Sequence, residues 1–159
     1  MLLTSAPNSV TSCNYANTGI VLTSVGNSSS VGSTQWSFIP VAGIANTYNI
    51  QSTYTNSNGQ SYVSFCSNCC NGLINWIADT HADDTELSSG YTQWTISPVS
   101  SAKTGVTGAV VILNVQANLF LAAWESNIGN TQYWDSNGTM TGVCLVSSVD
   151  DNCYWTVTS

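Results

Sequence analysis

Three short motifs that end in tryptophan are spaced almost evenly along the chain. Their tryptophans, Trp36, Trp94 and Trp155, are separated by 58 and 61 residues. A period of this length predicts that one supersecondary unit occurs three times, and that the copies pack on each other to bury their apolar faces. The motifs are Thr34-Gln35-Trp36 followed by Pro40-Val41, Thr92-Gln93-Trp94 followed by Pro98-Val99, and Cys153-Tyr154-Trp155.

The composition is that of a folded domain with very few charges. The 159 residues fit one domain, here 1–159, and only 6% of them are charged. Because 43% are hydrophobic and 10% are aromatic, the chain holds more apolar surface than a disordered segment does. We therefore expect a compact core and a surface made mostly of Ser, Thr, Asn, Gln and Gly.

The charge balance excludes two classes of partner. The chain has one Lys, no Arg and eight carboxylates, which gives a net charge of −7. Nucleic acids and anionic lipids are bound through clusters of Lys and Arg, which this sequence lacks. It also has no apolar stretch of the roughly 18 to 20 residues that a membrane span needs. The sequence predicts neither a nucleic-acid partner nor insertion into a membrane.

The hydrophobic pattern is typical of β-strands throughout. Short runs rich in Val, Ile, Tyr, Trp and Thr alternate with Asn, Gly and Ser, and no segment has a sustained helical stripe. Each unit reads as strand, turn, strand, and supplies about four strands to an all-β fold. The repeats cover residues 1–45, 46–107 and 108–159, and residues 100–108 are expected to be the most flexible join. The predicted strands include 47–52, 61–65, 73–78, 93–96, 110–115, 120–124 and 154–157.

Three four-stranded units that end in tryptophan resemble the β-trefoil, and the repeated Gln-Trp resembles the Gln-x-Trp motif of the ricin-B-type lectins. In this chain the Gln and the Trp are adjacent in the first two units, and Cys153 takes the place of the Gln in the third. The resemblance implies a six-stranded barrel capped by three hairpins. Trp36, Trp94 and Trp155 would then fill equivalent positions in the core.

The third unit carries the best match to a sugar site of that family. Gln132-Tyr133-Trp134-Asp135 and Asn152-Cys153-Tyr154-Trp155 are similar to the family's third-strand Gln-x-Trp and its closing Asn-Gln-x-Trp. By this resemblance Trp134 would stack on the sugar, and Asn152 would hydrogen-bond it, with Gln132 in the same motif. Aromatic faces and short polar side chains are the groups that bind sugar hydroxyls and C–H surfaces.

Further candidates lie near the second strand of the units. Where the family places an Asp after an apolar pair, Leu121 is followed by Ala122, so Glu125 would have to supply the charged acceptor. Trp124 offers a second stacking surface beside Glu125. The corresponding pair in the second unit is Trp76 with Asp79.

Catalysis finds little support in the sequence. His81 is the only histidine, and no Gly-x-Ser-x-Gly motif accompanies it. Glu125 and Asp135 are of the right type for a glycosidase, but nothing fixes their separation. The acidic run 79–86 lacks the EF-hand pattern and is expected to be a solvated loop, with a divalent-ion site as the alternative. We predict a protein that is not an enzyme and needs no cofactor or metal.

Two other functions remain open beside glycan binding. Proteins of this fold class also inhibit proteases through surface loops, for which residues 17–19, 52–60 and 127–130 are the candidates. The scarcity of Lys and Arg disfavours inhibition of trypsin but not of papain-like enzymes. A secreted structural or self-associating protein is the third option, since low charge permits an oligomer.

Cysteines and glycosylation motifs favour a secreted protein over a cytoplasmic one. The six cysteines, at 13, 66, 69, 70, 144 and 153, form an even set in a small domain, as expected for disulfide bonds. Cys66-Ser67-Asn68-Cys69-Cys70 resembles half of a zinc site but has no matching second pair. Asn27 and Asn137 each begin a sequence that permits N-glycosylation.

Overall fold

The computed structural model describes residues 2–9, 18–23, 35–56, 59–66, 77–81, 90–123 and 141–157. These residues form one antiparallel sheet of eleven strands, one single-turn helix and one 3-10 turn, which confirms the predicted all-β class. The strands are β1 Leu2–Ser9, β2 Thr18–Thr23, β3 Trp36–Pro40, β4 Thr47–Asn56, β5 Gly59–Cys66, β6 Ile77–His81, β7 Gln93–Pro98, β8 Ala109–Asn114, β9 Leu119–Ala123, β10 Thr141–Val146 and β11 Trp155–Thr156. The helix α1 spans Ser101–Thr104, and the 3-10 turn spans Asp151–Cys153.

One pattern of strand pairing occurs twice in succession. In the segment from β4 to β7, β4 pairs with β5 and β7, and β5 pairs with β6. In the segment from β8 to β11, β8 pairs with β9 and β11, and β9 pairs with β10. The two segments are joined through β7 and β8, and β3 pairs with β4 in the same way.

Three of the strands also pair with each other in a closed triangle. β2 pairs with β6, β6 pairs with β10, and β10 pairs with β2. These strands come from parts of the chain that are far apart in sequence, so the triangle brings the three tryptophan-ended segments together. Closed pairing of this kind also leaves fewer strand edges open to other molecules.

The core of the described part of the chain is built around the fully buried Trp94. Trp94 has 0% of its surface exposed and packs with six buried aliphatic side chains. Trp36 and Trp155 are half-buried and pack against this cluster. The aliphatic members are Ile50, Val63, Ile112, Leu121, Val143 and Leu145.

Two of the tryptophans make equivalent hydrogen bonds. The indole N–H of Trp94 donates to the carbonyl oxygen of Val63 in β5, at 2.7 Å. The indole N–H of Trp155 donates to the carbonyl oxygen of Leu121 in β9, at 2.9 Å. Each tryptophan therefore ties the last strand of its segment to the second strand, and satisfies a buried polar group at the same time.

Two predicted loops contain regular structure instead. Residues 52–60 were expected to form an inserting loop, but β4 continues to Asn56 and β5 begins at Gly59, with Asn56 opposite Gly59. Residues 100–108 were expected to be a flexible join, but they hold α1, which is capped at both ends. The Ser100 hydroxyl accepts from the amide of Ala102, and Gly105 ends the helix with a left-handed backbone at φ 69°.

Candidate functional site

Asn152 is a predicted sugar-binding residue that lies within the described residues. It lies in the 3-10 turn Asp151–Cys153, just before β11, and is half-buried. Its backbone N–H donates to the carboxylate Oδ1 of Asp150 at 2.9 Å, and the amide of Cys153 donates to the carbonyl oxygen of Asp150 at 3.1 Å. Asp150 is thus the N-cap that fixes the turn and the position of Asn152 within it.

This turn packs against β9, the strand that leads towards two other predicted residues. The turn and β9 are in contact, and the Trp155 indole bonded to Leu121 anchors β11 to the same strand. β9 ends at Ala123, directly before Trp124 and Glu125 in the sequence. The Asn152 turn is therefore a neighbour of the strand that precedes Trp124 and Glu125. Both belong to the site predicted in the third unit.

Asp79 is the other predicted sugar-binding residue that lies within the described residues. Asp79 lies in β6, where its backbone is opposite Ser64 of β5 and Gly19 of β2. The remaining predicted residues lie outside the described residues, namely Trp76, Trp124, Glu125, Gln132 and Trp134 for the sugar, and Asn27 and Asn137 for glycosylation.

The sequence reasoning overlooked the carboxylates that precede Asn152. Asp150 and Asp151 are both exposed, and Asp150 caps the turn that carries Asn152. The sequence did indicate this cap, because Asp is one of the residues whose side chain commonly accepts a hydrogen bond from the backbone at the start of a turn or helix. A charged hydrogen-bond acceptor thus lies beside Asn152, independently of Glu125.

Two cysteines lie close to this turn as free thiols. Cys153 is buried within the turn, and its thiol donates to Oδ1 of Asp150 at 3.4 Å. Cys144 is in β10, opposite Ala122 of β9. Cys13, Cys69 and Cys70 lie outside the described residues, as does the side chain of Cys66, so disulfide bonding among these four stays a prediction.

Both described thiols are held in their protonated form. Burial, with smaller contributions from the nearby Cys153 and Asp150, raises the pKa of Cys144 to about 11. Burial is also the main cause of the raised pKa of Cys153. Since the thiolate is the nucleophile and the metal ligand, these cysteines are poorly suited to covalent catalysis or metal binding near neutral pH. The described part of the chain also holds no cluster of three His, Cys, Asp or Glu side chains that could bind a metal ion.

The raised pKa of Cys144 makes stability depend on pH in the alkaline range. The thiol has a pKa of 9.0 when unperturbed and about 11 in the folded chain. The folded state therefore favours the protonated form, and its contribution is complete below pH 9 and is lost as the pH rises towards 11. We expect the free energy of unfolding, measured in urea, to fall over this interval.

Cys144→Ser is the matched control for that measurement, because serine is similar in size and does not titrate there. The fall should be smaller in this variant than in the original chain. Parallel pH profiles for the two proteins would contradict the account.

Comparison with known proteins identifies the fold of this chain and no more. No protein-family model and no curated protein sequence matches it. The crystal structure of the SDF2-like protein from Arabidopsis thaliana is similar, with a TM-score of 0.62 and 15% sequence identity. The match covers 97% of this chain and 83% of that chain. At this identity, the similarity shows a common fold and carries no information on activity. Among the residues that the structure describes, no helix is long and apolar enough to cross a membrane.

Proposed function

We propose that the chain is a non-catalytic β-trefoil protein that binds a glycan through the third of its three units. The trefoil is supported by the strand pairing, which repeats from β4–β7 to β8–β11. The triangle of β2, β6 and β10 is the contact expected where three hairpins cap a barrel. The paired indole bonds of Trp94 and Trp155 support the same threefold plan.

The observation that carries the glycan proposal is the contact between the Asn152 turn and β9. This contact supports the proposal because the turn that carries Asn152 of the Asn-Cys-Tyr-Trp motif lies next to the strand that precedes Trp124 and Glu125 in the sequence. Asn152 is half-buried in a turn whose backbone is fixed by Asp150, so little backbone freedom is lost on binding. A side-chain amide together with an aromatic face is a combination suited to binding a sugar.

The chemistry of the site follows from these groups. The amide of Asn152 has both donors and an acceptor for sugar hydroxyls, and Asp150, Asp151 or Glu125 supplies the charged acceptor. Trp124 and Trp134 supply flat apolar faces for the C–H surface of the ring. Binding through a few hydrogen bonds and one or two stacked rings is expected to be weak for a single sugar and stronger for an oligosaccharide.

A glycan array followed by calorimetry tests this function. Wild-type protein should bind one class of glycan on the array, and that glycan should then be titrated against variants. Asn152→Ala should weaken binding by about tenfold, which is the effect of losing roughly 1.4 kcal/mol of hydrogen bonding. Trp134→Ala and Trp124→Ala should weaken it by at least as much, because each removes a stacking face.

Gln35→Ala is the matched control, since it removes an exposed amide beside Trp36 in the first unit, where no sugar residue was nominated. It should leave the affinity unchanged, and all variants should keep the thermal midpoint of the wild type to within a few degrees. Absence of any glycan ligand, or equal losses in Gln35→Ala and Asn152→Ala, would refute the proposal. Inhibition assays with papain-like proteases would then test the alternative.

A further inference from the structure

Cys144 and Ala122 lie directly opposite each other on the paired strands β9 and β10. Their neighbours along the two strands, Val143, Leu145 and Leu121, belong to the buried core cluster. Because successive side chains of a strand point to opposite faces of the sheet, Cys144 and Ala122 point away from that cluster. Ala122 is nevertheless only 1% exposed. The outer face of the β9–β10 pair is therefore covered at this point by another part of the chain.

The 3-10 turn Asp151–Cys153 is the element that packs against β9. Apart from the sheet partners β8 and β10, it is the described element with which β9 makes the most contact. Cys153 ends this turn and is fully buried. Its thiol lies 3.9 Å from the carbonyl oxygen of Ser148, two residues after β10 ends at Val146. The turn thus folds back towards the strand that holds Cys144.

The carboxylate of Asp150 lies near both sulfur atoms. It accepts a hydrogen bond from the Cys153 thiol at 3.4 Å. Asp150 and Cys153 are also both close enough to Cys144 to raise its pKa. Both cysteines are free thiols in this structure, and only eight residues separate them in the sequence. A bond between them would therefore close a short loop that contains the Asn152 turn.

We propose that Cys144 and Cys153 form a reversible disulfide that locks the Asn152 turn onto the β9–β10 pair. Cys144 is half-buried and is the thiol that a small molecule can reach, whereas the fully buried Cys153 completes the bond from inside. The pair is expected to be closed in an oxidising compartment and open in a reducing one. The proposal is independent of glycan binding.

The bond forms by exchange with a low-molecular-weight disulfide such as oxidised glutathione. The thiolate of Cys144 attacks one glutathione sulfur, forms a mixed disulfide and releases the first glutathione thiolate. The thiolate of Cys153 then attacks the Cys144 sulfur and releases the second. The protein loses two electrons and two protons, and both are recovered in two molecules of reduced glutathione. Because burial keeps both protein thiols protonated near neutral pH, the exchange is expected to be slow there.

Peptide mapping of the oxidised protein tests the pairing. The folded chain is equilibrated with oxidised glutathione at about pH 8.5, where more thiolate is present. Its remaining thiols are then alkylated, and the protein is unfolded and cut before each aspartate. These cuts leave Cys144 in peptide 135–149 and Cys153 in peptide 151–159, while all other cysteines stay within residues 1–78. We expect the two short peptides to be joined, and to separate when dithiothreitol is added.

Thermal unfolding tests whether the bond locks the fold. A disulfide stabilises mainly by restricting the unfolded chain, so oxidation should raise the thermal midpoint of the wild type. The rise should exceed that of Cys144→Ser by roughly 5 to 10 °C. Cys144→Ser is the matched control because it keeps the other five cysteines. Cys153→Ser keeps a hydroxyl donor for Asp150 and should behave like Cys144→Ser.

Four results would overturn the proposal. The two short peptides could remain separate after oxidation, or become joined only when the oxidation is carried out in urea. Either cysteine could pair with the peptide 1–78 instead. Equal midpoint shifts in the wild type and in Cys144→Ser would show that the bond does not lock the turn.

Discussion

Replacing Trp94 by alanine is expected to lower the free energy of unfolding by about 3 to 5 kcal/mol. The indole is completely buried among the aliphatic core residues, so its removal leaves a large cavity. It also leaves the carbonyl oxygen of Val63 without its indole donor. Domains of this size are stable by roughly 5 to 15 kcal/mol, so the variant is expected to be partly unfolded at growth temperature. Urea unfolding followed by circular dichroism measures the change.

Phenylalanine at position 94 separates the contribution of the buried apolar volume from that of the indole hydrogen bond. Trp94→Phe keeps most of the apolar volume and removes the N–H, and should cost about 1 to 3 kcal/mol. Trp155→Phe removes the equivalent bond to Leu121 from a half-buried side chain, and should cost less than Trp94→Phe. If Trp94→Ala costs no more than about 1 kcal/mol, the ordinary cost of a point substitution, Trp94 is not the centre of the core.

Asn114 should be the most sensitive polar residue of the described core. It is fully buried, and its side-chain amide donates to the carbonyl oxygens of Tyr91 at 2.9 Å and Gln93 at 3.5 Å. Its Oδ1 accepts from the amide of Ala117 at 2.9 Å. These bonds hold the segment before β7 against the β8–β9 turn. We expect Asn114→Ala to lower the free energy of unfolding by about 2 to 4 kcal/mol, because buried backbone groups lose their partners.

Asn114→Asp offers a sharper version of this experiment. The shape is kept, but a carboxylate would face two carbonyl oxygens, so the folded state favours its protonated form. The cost should therefore be largest at neutral pH and smaller in acid, where the carboxyl is protonated. Asn118→Asp, at an exposed position in the same turn, is the control and should change stability by less than about 0.5 kcal/mol. A cost for Asn114→Asp that does not vary with pH would contradict the hydrogen-bond assignment.

The sequence alone correctly predicted the all-β class and the positions of several strands. Residues 93–96 and 110–115 were predicted as strands, and β7 Gln93–Pro98 and β8 Ala109–Asn114 match them within two residues. Residues 93–96 alternate polar and apolar side chains, and residues 110–113 are a continuous run of Val, Ile and Leu, so local preference and tertiary structure agree.

Long-range pairing explains where the sequence reasoning failed. Residues 53–56 contain Thr and Asn, which favours a loop, but pairing of β4 with β5 extends the strand to Asn56. Burial was also uneven among the tryptophans, since Trp94 is fully buried whereas Trp36 and Trp155 are half-buried. A periodic motif identifies equivalent positions, but it does not tell how completely neighbouring elements cover each one.

Several polar side chains lie in the core, where the sequence did not predict them. Ser, Thr, Asn and Gln were expected on the surface, because the chain has so few charged residues to put there. Several are instead buried in hydrogen-bonded pairs, such as Thr92 with Asn49 at 3.0 Å, and Thr47 with Thr95 at 3.3 Å. The partners in these pairs are more than forty residues apart, so no local pattern reveals them.

The candidate site could be predicted only as a set of residue types. The Asn-Cys-Tyr-Trp motif nominated Asn152, but nothing local indicated that its turn packs on β9 or that Asp150 fixes it. Such contacts depend on how β9 and β11 both pair with β8.

A crystal structure of the protein with an oligosaccharide chosen from the array shows whether the third unit binds the glycan. We expect three hairpins around a pseudo-threefold barrel, and sugar density that contacts the Asn152 amide and the indole of Trp124 or Trp134. Density bound elsewhere on the chain, or Trp124 and Trp134 both enclosed in the interior away from any sugar, would contradict it.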